Sequence, residues 1–110
     1  MDTKLRVMLI DDSKTMRNIQ RTMLTQMGFE SMEEAHDGQD ALSKLGAFRP
    51  DLVLCDWNMP NMDGLELIRA IRKDPATRDL PLVMVTTESE MSQMVRALAA
   101  GASEYVMKPF

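Results

Sequence analysis

This chain has little of what marks secreted, membrane or nucleic-acid-binding proteins. Among its 110 residues there is one cysteine, Cys55, so no disulfide framework can form within it and a cytoplasmic location is expected. One histidine, His36, stands apart from any second His or Cys, which leaves no zinc-type ligand set. No apolar run approaches the roughly 20 residues needed to span a bilayer. The start, Met1-Asp2-Thr3-Lys4, lacks the apolar stretch of a secretory signal. Acidic residues outnumber basic ones, 17 to 13, for a net charge of −4, which weighs against nucleic-acid and membrane-surface partners. There are no repeats, low-complexity tracts or internal boundaries, so residues 1–110 read as one domain.

What is present is a regular alternation. Short apolar runs, Val7-Met8-Leu9-Ile10, Leu52-Val53-Leu54-Cys55, Leu82-Val83-Met84-Val85 and Tyr105-Val106-Met107, read as strands buried on both faces. Phe29 to Ala35 is a weaker, more acidic run that suits a sheet edge. Between them lie helical stripes. The first is Met16, Ile19, Met23 and Met27, widened by Leu24, with Ser13 as N-cap and Gly28 as C-cap. The second carries Ala41, Leu42 and Leu45 and ends near Gly46 and Pro50. The third carries Leu65, Ile68 and Ile71, and the fourth Met91, Met94, Val95 and Leu98, stopping at Gly101. The order βαβαβαβαβ predicts an α/β fold: a doubly wound, five-stranded parallel sheet with right-handed crossovers.

Chemistry-bearing residues follow the strand runs. Asp11 and Asp12 follow the first, Asp56 the second, Thr86 the third and Lys108 the fourth. In parallel strands all emerge at one edge, where open α/β sheets bind ligands. Converging carboxylates repel unless protonated or bridged by a divalent cation, and an oxygen-only donor set favours Mg²⁺. Such a site leaves positions for a phosphate. Lys108 is a point charge suited to a phosphoryl oxygen, the Thr86 hydroxyl can donate to another, and Asp56 is the candidate nucleophile. Each residue alone has an ordinary explanation as a cap or turn former; their coincidence at successive strand ends is what carries the reading.

The segment Asp56-Trp57-Asn58-Met59-Pro60-Asn61-Met62-Asp63-Gly64, with Asp11-Asp12, Thr86 and Lys108-Pro109-Phe110, resembles response-regulator receiver domains, most closely those of the chemotaxis class. The resemblance spans the whole chain and implies the flavodoxin-like strand order 2-1-3-4-5. It implies that Asp56 accepts a phosphoryl group from a sensor histidine kinase. It implies that Asp12, Asp56 and the Asn58 backbone carbonyl ligate Mg²⁺, with Asp11 acting through water. Thr86 and Tyr105 would be the switch pair, and Asn58, Thr87 and Glu88 would tune phosphoryl lifetime. Thr87 departs from the small residue common at its position. The implied enzyme content is self-phosphorylation and self-dephosphorylation without turnover of an outside substrate, and the implied target is of the flagellar motor switch kind.

Members of the family carry one more helix after the Lys-Pro-Phe motif, and this sequence stops at Phe110. The expectation is an apolar face left open beside the first helix, through which the chain would form a homo-oligomer. Two alternatives stand beside the signalling switch. One is a fragment or engineered scaffold that keeps the phosphoacceptor site. The other is an aspartyl-phosphate phosphatase, disfavoured because Asn58 stands where such an enzyme wants a second Asp. The twelve methionines read mainly as core filling. Cys55 is expected to point into the core, His36 to lie in a loop, and Glu30, Glu33 and Glu34 to form a solvated edge.

Overall fold

Each apolar run forms a strand, because side chains alternating to opposite faces of a strand can be buried only if both faces are covered. The computed structural model describes residues 4–56, 62, 64–86, 98–101 and 104–107, with Thr86 and 104–107 described by backbone alone. The elements are β1 (Arg6–Ile10), α1 (Lys14–Gln26), β2 (Ser31–Ala35), α2 (Gly38–Phe48), β3 (Leu52–Cys55), α3 (Gly64–Lys73), β4 (Leu82–Thr86) and β5 (Glu104–Met107). The five strands are parallel in the order β2-β1-β3-β4-β5, as the resemblance implied. β2 is an edge strand, as its acidic composition predicted. Residues 98–100 are helical and Gly101 follows at φ +117°, a left-handed backbone that glycine adopts without steric cost. Met91, Met94 and Val95 of the expected fourth stripe lie outside the described residues.

The sheet divides two cores. Met8, Ile10, Val53, Cys55, Leu82 and Met84 point to the face covered by α2 and α3, where they meet Ala41, Leu45, Leu65, Leu67, Ile68 and Ile71. The alternate residues Val7 and Leu9 point to the other face and pack with Phe29, Leu24, Leu52 and Leu54. No helix among the described residues is long and apolar enough to cross a membrane.

Two caps confirm local chemistry. Ser13 Oγ accepts the Met16 N–H at 3.2 Å. At the other end of α1 the N–H of Gly28 donates to Thr25 O and that of Phe29 to Leu24 O, both at 3.0 Å, with Gly28 at φ 101°. This is a Schellman closure with its accompanying contact between Phe29 and Leu24.

The second helix ends between Gly46 and Pro50, as expected: it runs to Phe48, and Arg49 caps it at φ 54°. Pro50 disfavours helical backbone at Arg49 and so fixes the stop. Gly46 is therefore an exposed helix-interior glycine, and a Cβ there would meet nothing within 4 Å. Gly46→Ala should raise stability by about 0.5–1 kcal/mol, seen as a later urea midpoint; an earlier midpoint would contradict this account of the helix.

The first helix brings a correction. Ile19, Met23 and Met27 of its stripe are exposed, at 43%, 36% and 51%, whereas Met8 and Met84 are fully buried. Core filling therefore holds for Met8 and Met84 and not for Met23 and Met27. Helix α1 turns inward Leu24, the residue that widens the stripe, and the buried Gln20. Gln20 Oε1 is the one buried side-chain atom among the described residues without a hydrogen-bond partner.

Candidate phosphoacceptor and metal site

Register places the site. Ile10 and Cys55 are direct partners across β1 and β3, so the next residues, Asp11 and Asp56, emerge side by side at about the 4.8 Å spacing of neighbouring strands. Chain order reverses here, since β1 leads to β2 on one side while β3 and β4 lie on the other. A crevice outside the strand ends at such a switch point is where open α/β sheets take ligands. The backbone fixes both acids: the Asp11 N–H donates to Ala35 O at 3.1 Å and the Asp56 N–H to Ile10 O at 2.9 Å.

Asp11, Asp12 and Asp56 can each offer a carboxylate oxygen such that all three oxygens lie within 4.8 Å of one another. Asp11 and Asp56 are buried and Asp12 is exposed. Two unit charges at that distance repel by about 3–4 kcal/mol at an effective dielectric near 20. The donor set is oxygen only, with one open side at Asp12, which fits a hard, partly hydrated cation such as Mg²⁺. One Asp11 oxygen already accepts the Ser13 N–H at 2.9 Å, which orients that carboxylate.

Thr86 closes β4 and its Cα is in register with Met107 of β5, so the strand ends that precede Thr87 and Lys108 in the chain are adjacent. Asn58, Thr87, Glu88 and Lys108, and the side chains of Thr86 and Tyr105, lie outside the described residues. Cys55 is fully buried in the core, with its thiol donating to Asp56 O at 3.2 Å, as strand alternation predicted. His36 lies exposed in the bend after β2 and approaches Asp40 at 3.0 Å. A cavity of about 650 Å³ opens at the opposite edge between α2 and α3, beside Arg49, Asp51, Asp74 and Leu80. None of the three clustered acids lines it, so chemistry rather than cavity size locates the site.

Beside the acids lies a polar network the sequence reading did not foresee. Glu34 is not a solvated edge residue. Its two oxygens accept from Arg17 Nε and Arg21 Nε, each at 2.9 Å, and its carbonyl accepts from Lys44 Nζ at 2.7 Å. The available signal was the four-residue spacing of Arg17 and Arg21 on α1, which puts both on one helix face. Partial burial works to raise the Glu34 pKa, but the hydrogen bonds and charges of Arg17 and Arg21 outweigh it and hold it below 4.5. A depressed carboxylate pKa contributes stability that is present above the unfolded value and lost as pH falls through the folded one. The stability gap between the protein and Glu34→Gln, about 1 kcal/mol at neutral pH, should therefore close as pH drops below 4.5. A gap that stays constant in urea titrations across that range would contradict the pairing.

Known proteins are similar to this chain in sequence and in fold. Residues 7–110 match the response regulator receiver domain family. The chain is 42% identical to the chemotaxis protein CheY of Pseudomonas aeruginosa over 106 residues, which is 96% of this chain and 86% of that protein. It is 40% identical to CheY1 of Helicobacter pylori over 107 residues, again 96% and 86%. The crystallised chemotaxis protein CheY4 of Vibrio cholerae superposes with a TM-score of 0.90 at 34% identity, covering 97% of this chain and 88% of that one. With its strand order, its acidic cluster at the switch point and these relatives, the chain belongs to the response-regulator receiver family.

Proposed function

We propose that this protein is a phosphorylation-driven switch of a two-component pathway, in the chemotaxis class, with Asp56 as the phosphoacceptor. The observation that carries the reading is the placement of three carboxylates within 4.8 Å at the switch point of a receiver fold. The phosphodonor is the phosphohistidine of a sensor kinase. An Asp56 carboxylate oxygen attacks phosphorus, a P–O bond forms, and the P–N bond to the donor imidazole breaks with its electron pair leaving on nitrogen. The imidazole takes a proton from solvent. Water later attacks the acyl phosphate, releasing inorganic phosphate and restoring the carboxylate.

Asp11, Asp12 and Asp56, with the Asn58 backbone carbonyl, would hold Mg²⁺. When bound, the ion offsets negative charge on the carboxylate and the incoming phosphoryl group. Lys108 pairs with a phosphoryl oxygen, and Thr86 donates to another. Tyr105 responds to Thr86 and passes the change to the surface, while Asn58, Thr87 and Glu88 set how fast water gains access. The partners are a histidine kinase and a target of the flagellar-switch kind, in the cytoplasm. Incubation with acetyl phosphate and Mg²⁺, followed by intact mass spectrometry, tests the reading. One phosphoryl group per chain is expected, absent when Mg²⁺ is chelated. Steady turnover of an added phosphoester with no accumulating adduct would instead indicate a phosphatase.

A further inference from the structure

The loop after β1, which carries Asp11 and Asp12, is held from outside by a guanidinium. Arg17 is largely buried, with 14% of its side chain exposed. Its Nη1 donates to the backbone carbonyl of Asp11 at 2.5 Å, and its Nε donates to Glu34 Oε1 at 2.9 Å. The Asp11 carbonyl belongs to the peptide plane that also contains the Asp12 N–H. Fixing it therefore sets the direction in which the chain enters Asp12, the one exposed acid of the three. Glu34 is in turn anchored at its other oxygen by Arg21 and through its backbone carbonyl by Lys44. The planar fork of arginine can serve a carbonyl and a carboxylate at once, which a point-charge ammonium cannot do with the same geometry.

We propose that Arg17, locked by Glu34, is a positioning residue that sets the cation affinity of the Asp11–Asp12–Asp56 cluster. The proposal rests on the cation reading of that cluster. It makes a prediction opposite in sign to simple electrostatics. A cation near a cation site repels the incoming ion, so removing the Arg17 charge without any change of geometry would tighten Mg²⁺ binding. If Arg17 acts by holding the Asp11–Asp12 peptide, its removal weakens binding. Outer contacts that orient metal ligands are commonly worth 10- to 100-fold in affinity.

Calorimetric Mg²⁺ titrations at fixed ionic strength decide between them. Arg17→Met and Arg17→Lys should each bind Mg²⁺ about tenfold more weakly than the unaltered chain. Glu34→Gln should weaken binding in the same direction, and the double variant should be no worse than Arg17→Met alone, because Glu34 acts through Arg17. Arg21→Gln, which leaves the contact with Asp11 in place, should stay within about twofold. Melting curves without Mg²⁺ separate folding from affinity; if Arg17→Met does not fold, Arg17→Lys and Glu34→Gln carry the same comparison. Unchanged or tighter binding in Arg17→Met, full affinity in Arg17→Lys, or additive losses in the double variant overturns the positioning role. Absence of saturable Mg²⁺ binding in the unaltered chain would overturn the cation reading beneath it.

Discussion

Asp56→Asn should abolish phosphoryl uptake while leaving the protein folded. An amide has nearly the same shape as the carboxylate but no anionic oxygen to attack phosphorus. The backbone that holds this position does not depend on the side chain, because the Asp56 N–H is bonded to Ile10 O and Cys55 anchors the strand in the core. Removing one of three charges within 4.8 Å also relieves repulsion of about 3–4 kcal/mol per pair. The metal-free variant should therefore melt no lower than its parent. The expected result is no adduct above background with acetyl phosphate and Mg²⁺, together with an unchanged or raised melting temperature. Retained uptake would move the acceptor elsewhere, and a collapsed melting curve would mean that the Asp56 side chain is structural.

Ile68→Ala should produce the largest loss of stability. Ile68 is fully buried in α3, in the same cluster as Met8, Ile10, Leu82 and Met84, so truncation leaves a cavity in that core. Such changes cost about 2–5 kcal/mol, against a total stability of about 5–15 kcal/mol. For a domain of this size the melting temperature should fall on the order of 10–20 °C. Ile19→Ala removes the same atoms from α1, where the side chain is 43% exposed, and should cost within about 0.5 kcal/mol. Equal losses at the two positions would contradict the assignment of α3 to the core and of the Ile19 face to the surface.

Much of this architecture is legible in the sequence because strand ends and helix caps are written in local chemistry. Ser13 and Gly28 act as read, and the apolar runs become strands of a parallel sheet in the expected order. The pairing of Asp11 with Asp56 follows from two runs of matching length set in register. What was not legible depends on which side of a helix meets the sheet. The stripe Met16, Ile19, Met23 and Met27 has helical period, yet of that stripe it is the widening residue Leu24 that packs against the core, together with the unforeseen Gln20. Of the two residues expected to bound the end of α2, Gly46 lies inside the helix and Pro50 follows the capping residue Arg49. Glu34 reads as a solvated edge acid because its partners, Arg17 and Arg21, are brought to it only by the crossover of α1. Arg72 escapes notice for the same reason. Its guanidinium donates to Leu80 O, Arg78 O and Gly101 O, tying the end of α3 to the turns before β4 and β5.

The most direct test of the central claim is to locate the phosphoryl group chemically. Borohydride reduces an aspartyl phosphate to homoserine, which survives proteolysis and peptide mass mapping. After acetyl phosphate and Mg²⁺, homoserine should be found at position 56 and nowhere else. Homoserine at Asp11 or Asp12, or no reduced residue in a chain that has consumed acetyl phosphate, would contradict it.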